Sequence, residues 1–140
     1  MAVKRHTLNI PEQALQVLKM LERAGNKAYF VGQCVAELLR GGSPMDYDII
    51  TTADFSEMLY VFRDMRIVSQ NEDMSSVMVS SLGLVIQVSS YCGEIKDGKA
   101  VYTDNYIFDL VHRDFSAFAI AYHPRKGFRD PFDGMPCIKD

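Results

Sequence analysis

The sequence predicts a single α/β (α+β) domain, residues 1–140, in which helices pack on a small mixed β-sheet. Helix-like and strand-like patterns alternate through the first half of the chain. The second half carries several short strand patterns and one further helical pattern. The length of 140 residues suits one domain, and 48% hydrophobic with 24% charged residues is ordinary globular composition.

Apolar periodicity and turn residues define the elements of the first half. Val17, Leu18 and Leu21 lie on one helical stripe. Pro11 suits the first turn of that helix, and Gly25 suits its end. Short aromatic and β-branched runs predict strands. The resulting elements are helices over residues 11–24, 33–40 and 55–65 and strands over residues 27–31 and 47–51.

Strand patterns dominate the residues that follow. Leu82-Gly83 separates two alternating runs and therefore predicts a hairpin. Farther on, Phe115, Phe118 and Tyr122 share a helical stripe. The resulting elements are a strand over residues 67–68, a polar loop over 70–73, a hairpin over 76–90, a mobile loop over 91–105, a helix over 113–122 and turns over 130–134.

The charge of the chain limits its contact with nucleic acid. The net charge is -3, and the basic residues are scattered. A nucleic-acid-binding domain usually carries a basic face, because contacts to phosphates dominate its affinity. If RNA is a partner, we expect most of the RNA contacts to lie outside this chain.

Cysteine and histidine usage argues against a structural zinc site. Cys34, Cys92 and Cys137 form no C-x-x-C motif, and we expect reduced, mostly buried thiols. His6 and His123 lack zinc-ligand spacing, and His123 is expected to complement the dipole at a helix end. The sequence shows no signal peptide and no apolar run of about 20 residues. We therefore expect a cytoplasmic location and no membrane partner.

The most informative feature is Asp46-Tyr47-Asp48 at the start of a predicted strand. Side chains alternate along a strand, so Asp46 and Asp48 face the same way. Two neighbouring carboxylates repel each other unless a cation lies between them, and Mg²⁺ prefers oxygen ligands. The pattern predicts a magnesium site, although a D-x-D in a solvated surface loop is the ordinary alternative.

A glycine precedes Asp48, the second aspartate of this pair, by 16 residues. Gly32 ends one predicted strand, and a predicted helix begins at Gln33. The start of a helix presents backbone N–H groups that bind phosphate, and glycine permits a close approach. Residues 28–51 therefore encode a possible anion site beside a possible cation site, although many folds have a glycine at such a position.

Three blocks of the sequence, in order, resemble one family. Residues 28–49 read AYFVGQCVAELLRGGSPMDYDI and resemble A-Y-x-V-G-G-x-V-R-D-x-L-L-G-x-x-P-x-D-x-D-I without a gap. Residues 109–119 resemble D-L-x-R-R-D-F-T-x-N-A, and residues 127–134 resemble G-x-x-D-P-F-x-G. The family comprises the class II tRNA nucleotidyltransferases (CCA-adding enzymes) and bacterial poly(A) polymerases, and the resemblance is to its N-terminal head.

The resemblance implies a nucleotidyltransferase (polymerase β-like) fold and an enzyme that uses CTP or ATP to extend an RNA 3′ end. It implies that Asp46 and Asp48 are the catalytic residues and bind the metal ion, Mg²⁺. It also implies that Gly32, with Gln33 beside it, helps to seat the nucleoside triphosphate.

The second block of the resemblance implies that Arg113 and Asp114 contact the incoming nucleotide. Arginine is a reasonable partner for a phosphate or a base. Without the resemblance, an ion pair at a helix end explains the two residues equally well. Phe115 and Phe118 suit core packing better than stacking on a base.

Several positions depart from the family pattern. Gln33 replaces the second glycine, and Gln87 occupies a strand position that is usually acidic. An amide is a poorer metal ligand than a carboxylate. The other departures are Ala36, Glu37, His112 and Phe118. Together they suggest weakened or redirected catalysis.

Three functions follow from these features. The first is metal-dependent nucleotidyl transfer to the 3′ hydroxyl of an RNA such as tRNA. The second is a catalytically degenerate module that binds a nucleotide or a partner chain. The third is a minimal nucleotidyltransferase that modifies small molecules or proteins. The family's neck, body and tail regions are expected to be absent, either because the chain is a piece of a longer protein or because it is a free-standing head.

Overall fold

The computed structural model of the chain describes residues 8–90, 92–96, 99–102 and 121–129. The helices in these ranges are α1 (Glu12–Arg23), α2 (Gln33–Leu39) and α3 (Phe55–Val61). The strands are β1 (Ala28–Val31), β2 (Asp46–Thr51), β3 (Arg66–Asn71), β4 (Ser76–Ser81), β5 (Leu84–Ser90), β6 (Cys92–Lys96), β7 (Lys99–Tyr102), β8 (Ala121–His123) and β9 (Gly127–Arg129). None of these helices is both long and apolar enough to span a membrane.

Seven of the described strands form one mixed sheet in the order β3-β4-β5-β2-β1-β8-β9. β2 and β5 run parallel, and the other neighbouring pairs run antiparallel. β6 and β7 form a separate two-stranded sheet. The predicted class, a small mixed sheet with helices packed on it, is confirmed.

The three helices and one face of the large sheet enclose the main hydrophobic core. The predicted stripe of α1 is buried at Val17, Leu18 and Leu21, and α3 contributes Met58 while Phe62 follows it into the core. Burying an apolar side chain of this size contributes about 1.5–3 kcal/mol to stability. The core therefore fixes the position of the sheet beneath the helices.

Helix α3 is shorter than the predicted segment 55–65. Its start is fixed by a capping box in which the Asp54 side chain accepts from the backbone N–H of Glu57 at 2.8 Å. It ends at Val61 because the chain turns there and buries Phe62. In that turn the Arg63 guanidinium donates to the backbone carbonyl of Tyr60 at 2.8 Å.

Two predicted loops contain strand residues. The loop prediction for residues 70–73 is wrong at its start, because β3 runs to Asn71 and pairs with β4. The mobile loop predicted for residues 91–105 is also wrong, because β6 and β7 pair antiparallel within it. Lys96 pairs directly with Lys99, and the two residues between them in the sequence are Asp-Gly. An Asp-Gly dipeptide strongly favours a tight hairpin, and this preference is a better guide here than the polar composition from which the loop was predicted.

The helix predicted over residues 113–122 is wrong at its C-terminal end. Ala121 and Tyr122 belong to β8 and pair with Val31 and Phe30 of β1. Both side chains are buried, so pairing with a central strand overrides the helical stripe. Residues 113–120 and the predicted turns at 130–134 lie outside the described residues.

His123 attaches the β8–β9 hairpin to α1. Its side chain is buried, its Nε2 lies 2.7 Å from Oε2 of Glu22, and its Nδ1 accepts from the backbone N–H of Arg125 at 3.1 Å. Because Nδ1 is an acceptor, we place the ring proton on Nε2, where it is donated to Glu22. The expectation that His123 complements a helix dipole is wrong, since this residue ends a strand and has a carboxylate partner.

Glu22→Ala tests the link between α1 and the hairpin. We expect the free energy of unfolding to fall by about 1–3 kcal/mol, because the buried His123 N–H loses its acceptor. Chemical denaturation measures this change. Glu72→Ala, in the exposed turn before β4, is the matched control and should change stability by less than about 0.5 kcal/mol. Equal losses in the two variants would show that the hydrogen bond adds no specific stability.

Candidate functional site

The two aspartates lie on one face of β2. Asp46 is exposed and Asp48 is half-buried, whereas Tyr47 between them is buried in the main core. Ile49 is buried on the same side as Tyr47, and the rings of Tyr47 and Phe30 meet edge to face at 6.0 Å. The carboxylates are therefore held by a strand whose opposite face is anchored, and they do not belong to a surface loop.

Gly32 lies against the Asp48 carboxylate at the end of β1. Val31 is the antiparallel partner of Asp48, and Gly32 follows it directly. The Gly32 backbone has φ +80° and ψ -151°, a conformation that is essentially restricted to glycine. A Cβ at this position would lie 3.3 Å from Oδ2 of Asp48. The structure thus brings two of the predicted site residues together.

Gln33 opens α2 immediately after Gly32, and its side chain is exposed. The Gly32 carbonyl accepts the first helical hydrogen bonds, from Val35 at 3.1 Å and Ala36 at 3.3 Å. The first N–H groups of a helix have no acceptor within the helix. The start of α2 therefore places such donors next to the strand end that contacts Asp48.

Cys34 lies near Asp48, and the sequence did not predict that it belongs to the site. The thiol is buried and donates to the Val31 carbonyl at 3.2 Å. Burial, and to a smaller extent the negative charge of Asp48, raises the pKa of Cys34 to about 12, although backbone N–H groups partly oppose this. The thiol is therefore neutral near pH 7 and is no nucleophile there. In the sequence, only its spacing of two residues from Gly32 could have indicated that Cys34 lies near the site.

Gln87 is the immediate neighbour of Asp48 across the parallel pair of β2 and β5. Its side chain is exposed, and Ile86 and Val88 on either side of it are buried in the main core. Gln87 therefore faces the same side of the sheet as Asp48. The departure from the family pattern at this position lies next to the aspartate pair.

Ala36 and Glu37, the two further departures within α2, differ in their surroundings. Ala36 is fully buried in the main core. Glu37 is half-buried, and Gly42 approaches it so closely that a Cβ there would lie 2.8 Å from Cγ of Glu37.

Burial, with smaller contributions from Cys34 and Glu37, raises the pKa of Tyr47 to about 12. Tyr47 is therefore a neutral anchor of β2 near pH 7.

Arg113 and Asp114 lie outside the described residues, as do His112 and Phe118. The described chain resumes at Ala121, which pairs with Val31, and Val31 also pairs with Asp48. The chain therefore enters β8 two strands away from Asp48. Arg113 precedes this entry by eight residues in the sequence.

Comparison with known proteins identifies the family. The family model described as the poly A polymerase head domain matches residues 28–140. The chain belongs to this family. The matched segment includes Gly32, both aspartates of β2 and Gln87.

The head domain is similar to segments of longer proteins. It is 32% identical over 134 residues to a CCA-adding enzyme of Geobacillus kaustophilus, covering 91% of this chain and 33% of that protein. It is 29% identical over 143 residues to poly(A) polymerase I of Haemophilus influenzae, covering 90% and 31%. The chain therefore spans about a third of the length of these relatives.

A solved structure shares this architecture. The crystal structure of the Bacillus stearothermophilus CCA-adding enzyme in complex with CTP superposes with a TM-score of 0.79 at 30% sequence identity. The superposition covers 91% of this chain and 31% of that one. The head domain therefore has the nucleotidyltransferase fold.

Gly32→Ala tests the contact between β1 and Asp48. We expect a loss of about 1–3 kcal/mol in the free energy of unfolding from backbone strain. The family resemblance implies that Asp48 binds the metal ion, so we also expect weaker binding of Mn²⁺, which takes the same carboxylate ligands as Mg²⁺, because the new methyl group would press on the Asp48 carboxylate. Gly25→Ala is the control, since its φ of +94° is also positive but nothing lies within 4 Å of the added Cβ. Equal Mn²⁺ affinity in the two variants would contradict a role for the Gly32 contact.

The raised pKa of Cys34 predicts a loss of stability in alkali. The unfolded thiol ionises near pH 9.0 and the folded thiol near 12, so its contribution to stability is complete below pH 9 and declines between these values. One proton accounts for at most about 1.4 kcal/mol per pH unit. Denaturation of the metal-free protein from pH 8 to 11 should show a steeper decline for the wild type than for Cys34→Ala. An equal decline of the free energy of unfolding with pH in the two proteins would contradict the raised pKa of Cys34.

Proposed function

We propose that this head domain transfers a nucleoside monophosphate from CTP or ATP to the 3′ hydroxyl of an RNA such as tRNA, with Mg²⁺ held by Asp46 and Asp48. The observation that carries the proposal is the placement of both carboxylates on one face of β2, with Gly32 against Asp48. Membership of the head domain family and the CTP complex of a related CCA-adding enzyme support it.

The donor set at the aspartates fits a hard divalent cation. Carboxylate oxygens are the ligands that Mg²⁺ prefers, and this ion usually takes one or two of them and keeps its remaining positions for water and phosphate. Within the described ranges, no cluster of three or more histidine, cysteine or acidic side chains is arranged to hold a metal. When bound, Mg²⁺ would neutralise phosphate charge and activate a hydroxyl group.

The protein's own contribution is to position charged groups and hold them in place. Asp46 and Asp48 supply the negative charge that fixes the ion, and the buried Tyr47 keeps them on the same face. The backbone at Gly32 and Gln33 allows a triphosphate to approach the start of α2. In phosphoryl transfer such positioning and charge stabilisation provide most of the catalysis.

The remaining nucleotide contacts are assigned by the family resemblance. Arg113 and Asp114 are proposed to contact the incoming nucleotide. With a net charge of -3, the head domain gains little from general attraction to phosphates, so RNA binding is assigned mainly to other segments or chains.

A second candidate function is a catalytically degenerate module that binds a nucleotide or a partner chain. Gln87 favours it, because a neutral amide lies directly beside Asp48. Gln33 favours it as well, because its side chain adds bulk where a phosphate would approach. This module would bind CTP or ATP with Mg²⁺ in calorimetry and would transfer no labelled nucleotide to an acceptor RNA.

Asp46→Asn and Asp48→Asn test the proposed reaction. Each change keeps the size of the side chain and removes one negative charge. We expect the rate at which each variant transfers labelled CMP or AMP to a tRNA acceptor to fall at least about 100-fold. The negative charge that holds the ion also stabilises the transition state, so its removal slows the reaction. Extension of the labelled RNA is measured on a gel.

Asp64→Asn is the matched control, because Asp64 is exposed in the turn after α3. It should transfer nucleotide at the wild-type rate. Nucleotide transfer at the wild-type rate by both β2 variants would contradict the proposed reaction. Because RNA binding is assigned mainly to other segments or chains, the acceptor RNA is supplied at saturating concentration. Binding of CTP or ATP without transfer under this condition would support the degenerate module instead.

A further inference from the structure

Gln87 and Val31 are the two positions directly beside Asp48 on the aspartate face of the sheet, one on each neighbouring strand. Neighbouring strands lie about 4.8 Å apart, whereas residues two apart on one strand are separated by about 6.6 Å. In the sheet, Asp48 pairs with Gln87 across β2 and β5. The backbone of Gln87 is therefore nearer to Asp48 than the backbone of Asp46 is.

The other positions that flank the pair are apolar. Val31 is the partner of Asp48 on β1, and Val85 is the partner of Asp46 on β5. Cys34 is near Asp48, but its thiol is buried and donates to a backbone carbonyl. Of the residues paired with Asp46 and Asp48 on β1 and β5, Gln87 is thus the one whose exposed side chain carries an oxygen that could bind a metal ion.

We propose that Gln87 limits the aspartate pair to one divalent ion until a nucleotide supplies further negative charge. The inference rests on the proposed function. Two carboxylates neutralise one divalent ion. An amide offers an oxygen dipole but no charge, so a second ion beside the first would be repelled without compensation. Triphosphate oxygens supply that compensation when the nucleotide binds.

The charge of the side chain at position 87 sets how many divalent ions the face can hold. A carboxylate at position 87 would stand next to Asp48 on an adjacent strand and would raise the negative charge of the face. Affinity for hard cations rises with the number of charged ligands. Gln87→Glu is therefore expected to create capacity for a second ion without nucleotide.

The experiment is a titration of Mn²⁺ alone against the purified chain by calorimetry. Mn²⁺ accepts the same carboxylate and water ligands as Mg²⁺. We expect about one Mn²⁺ per wild-type chain, and none in the Asp46→Asn, Asp48→Asn double variant. Gln87→Glu should bind a second Mn²⁺ without nucleotide, and a stoichiometry of one ion in this variant would overturn the role of Gln87.

Gln70→Glu is the matched control. It adds the same charge at an exposed position of β3, where the partner is Val77, a residue of the opposite, helix-covered face. This variant should bind Mn²⁺ like the wild type. A thermal melt adds a second readout: in chelator Gln87→Glu should melt below the wild type, and Mn²⁺ should raise its Tm more.

The outcomes separate the two proposals. Two Mn²⁺ ions per wild-type chain without nucleotide, or a Gln87→Glu variant that binds like the wild type, would overturn the role of Gln87 and leave the proposed reaction standing. No Mn²⁺ binding by the folded wild type, or binding that survives loss of both aspartates, would overturn both.

Discussion

The arrangement of the site depends on the burial of alternate residues of β2. Tyr47 and Ile49 are buried against the helices, and the alternation of a strand then sends Asp46 and Asp48 to the other face. A shift of one residue in register would bury both carboxylates and expose two large apolar side chains. The hydrophobic core therefore also selects which groups face the side of the sheet that the helices leave uncovered.

Strand β1 brings other groups next to the aspartates of β2. It lies between β2 and β8, so its last residue, Val31, has Asp48 on one side and Ala121 on the other. Gly32 follows with a backbone conformation that almost only glycine adopts, and α2 begins at once. The end of one short strand thus positions a carboxylate, a helix start and the entry of the chain into β8.

Local patterns in the sequence were enough to predict the elements whose partners are close in sequence. The hairpin of β4 and β5 occupies residues 76–90, because Leu82 and Gly83 both adopt positive φ in its two-residue turn. Long-range pairing was not accessible in this way. Nothing near Ala121 indicates that it pairs with Val31, and Gln87 lies beside Asp48 only because β2 and β5 run parallel.

The departures from the family pattern have different physical meanings. Ala36 is fully buried in the main core, so a small apolar residue there contributes to packing. Gln33 and Gln87 are exposed, one at the start of α2 and the other beside Asp48, so neither is needed to fill the core. A position that packing does not restrict can change the chemistry of the site while the fold is preserved. In the proposed reaction, the reactivity of this head domain would depend on the charge balance around the aspartates, whereas its stability depends on the opposite face of the sheet.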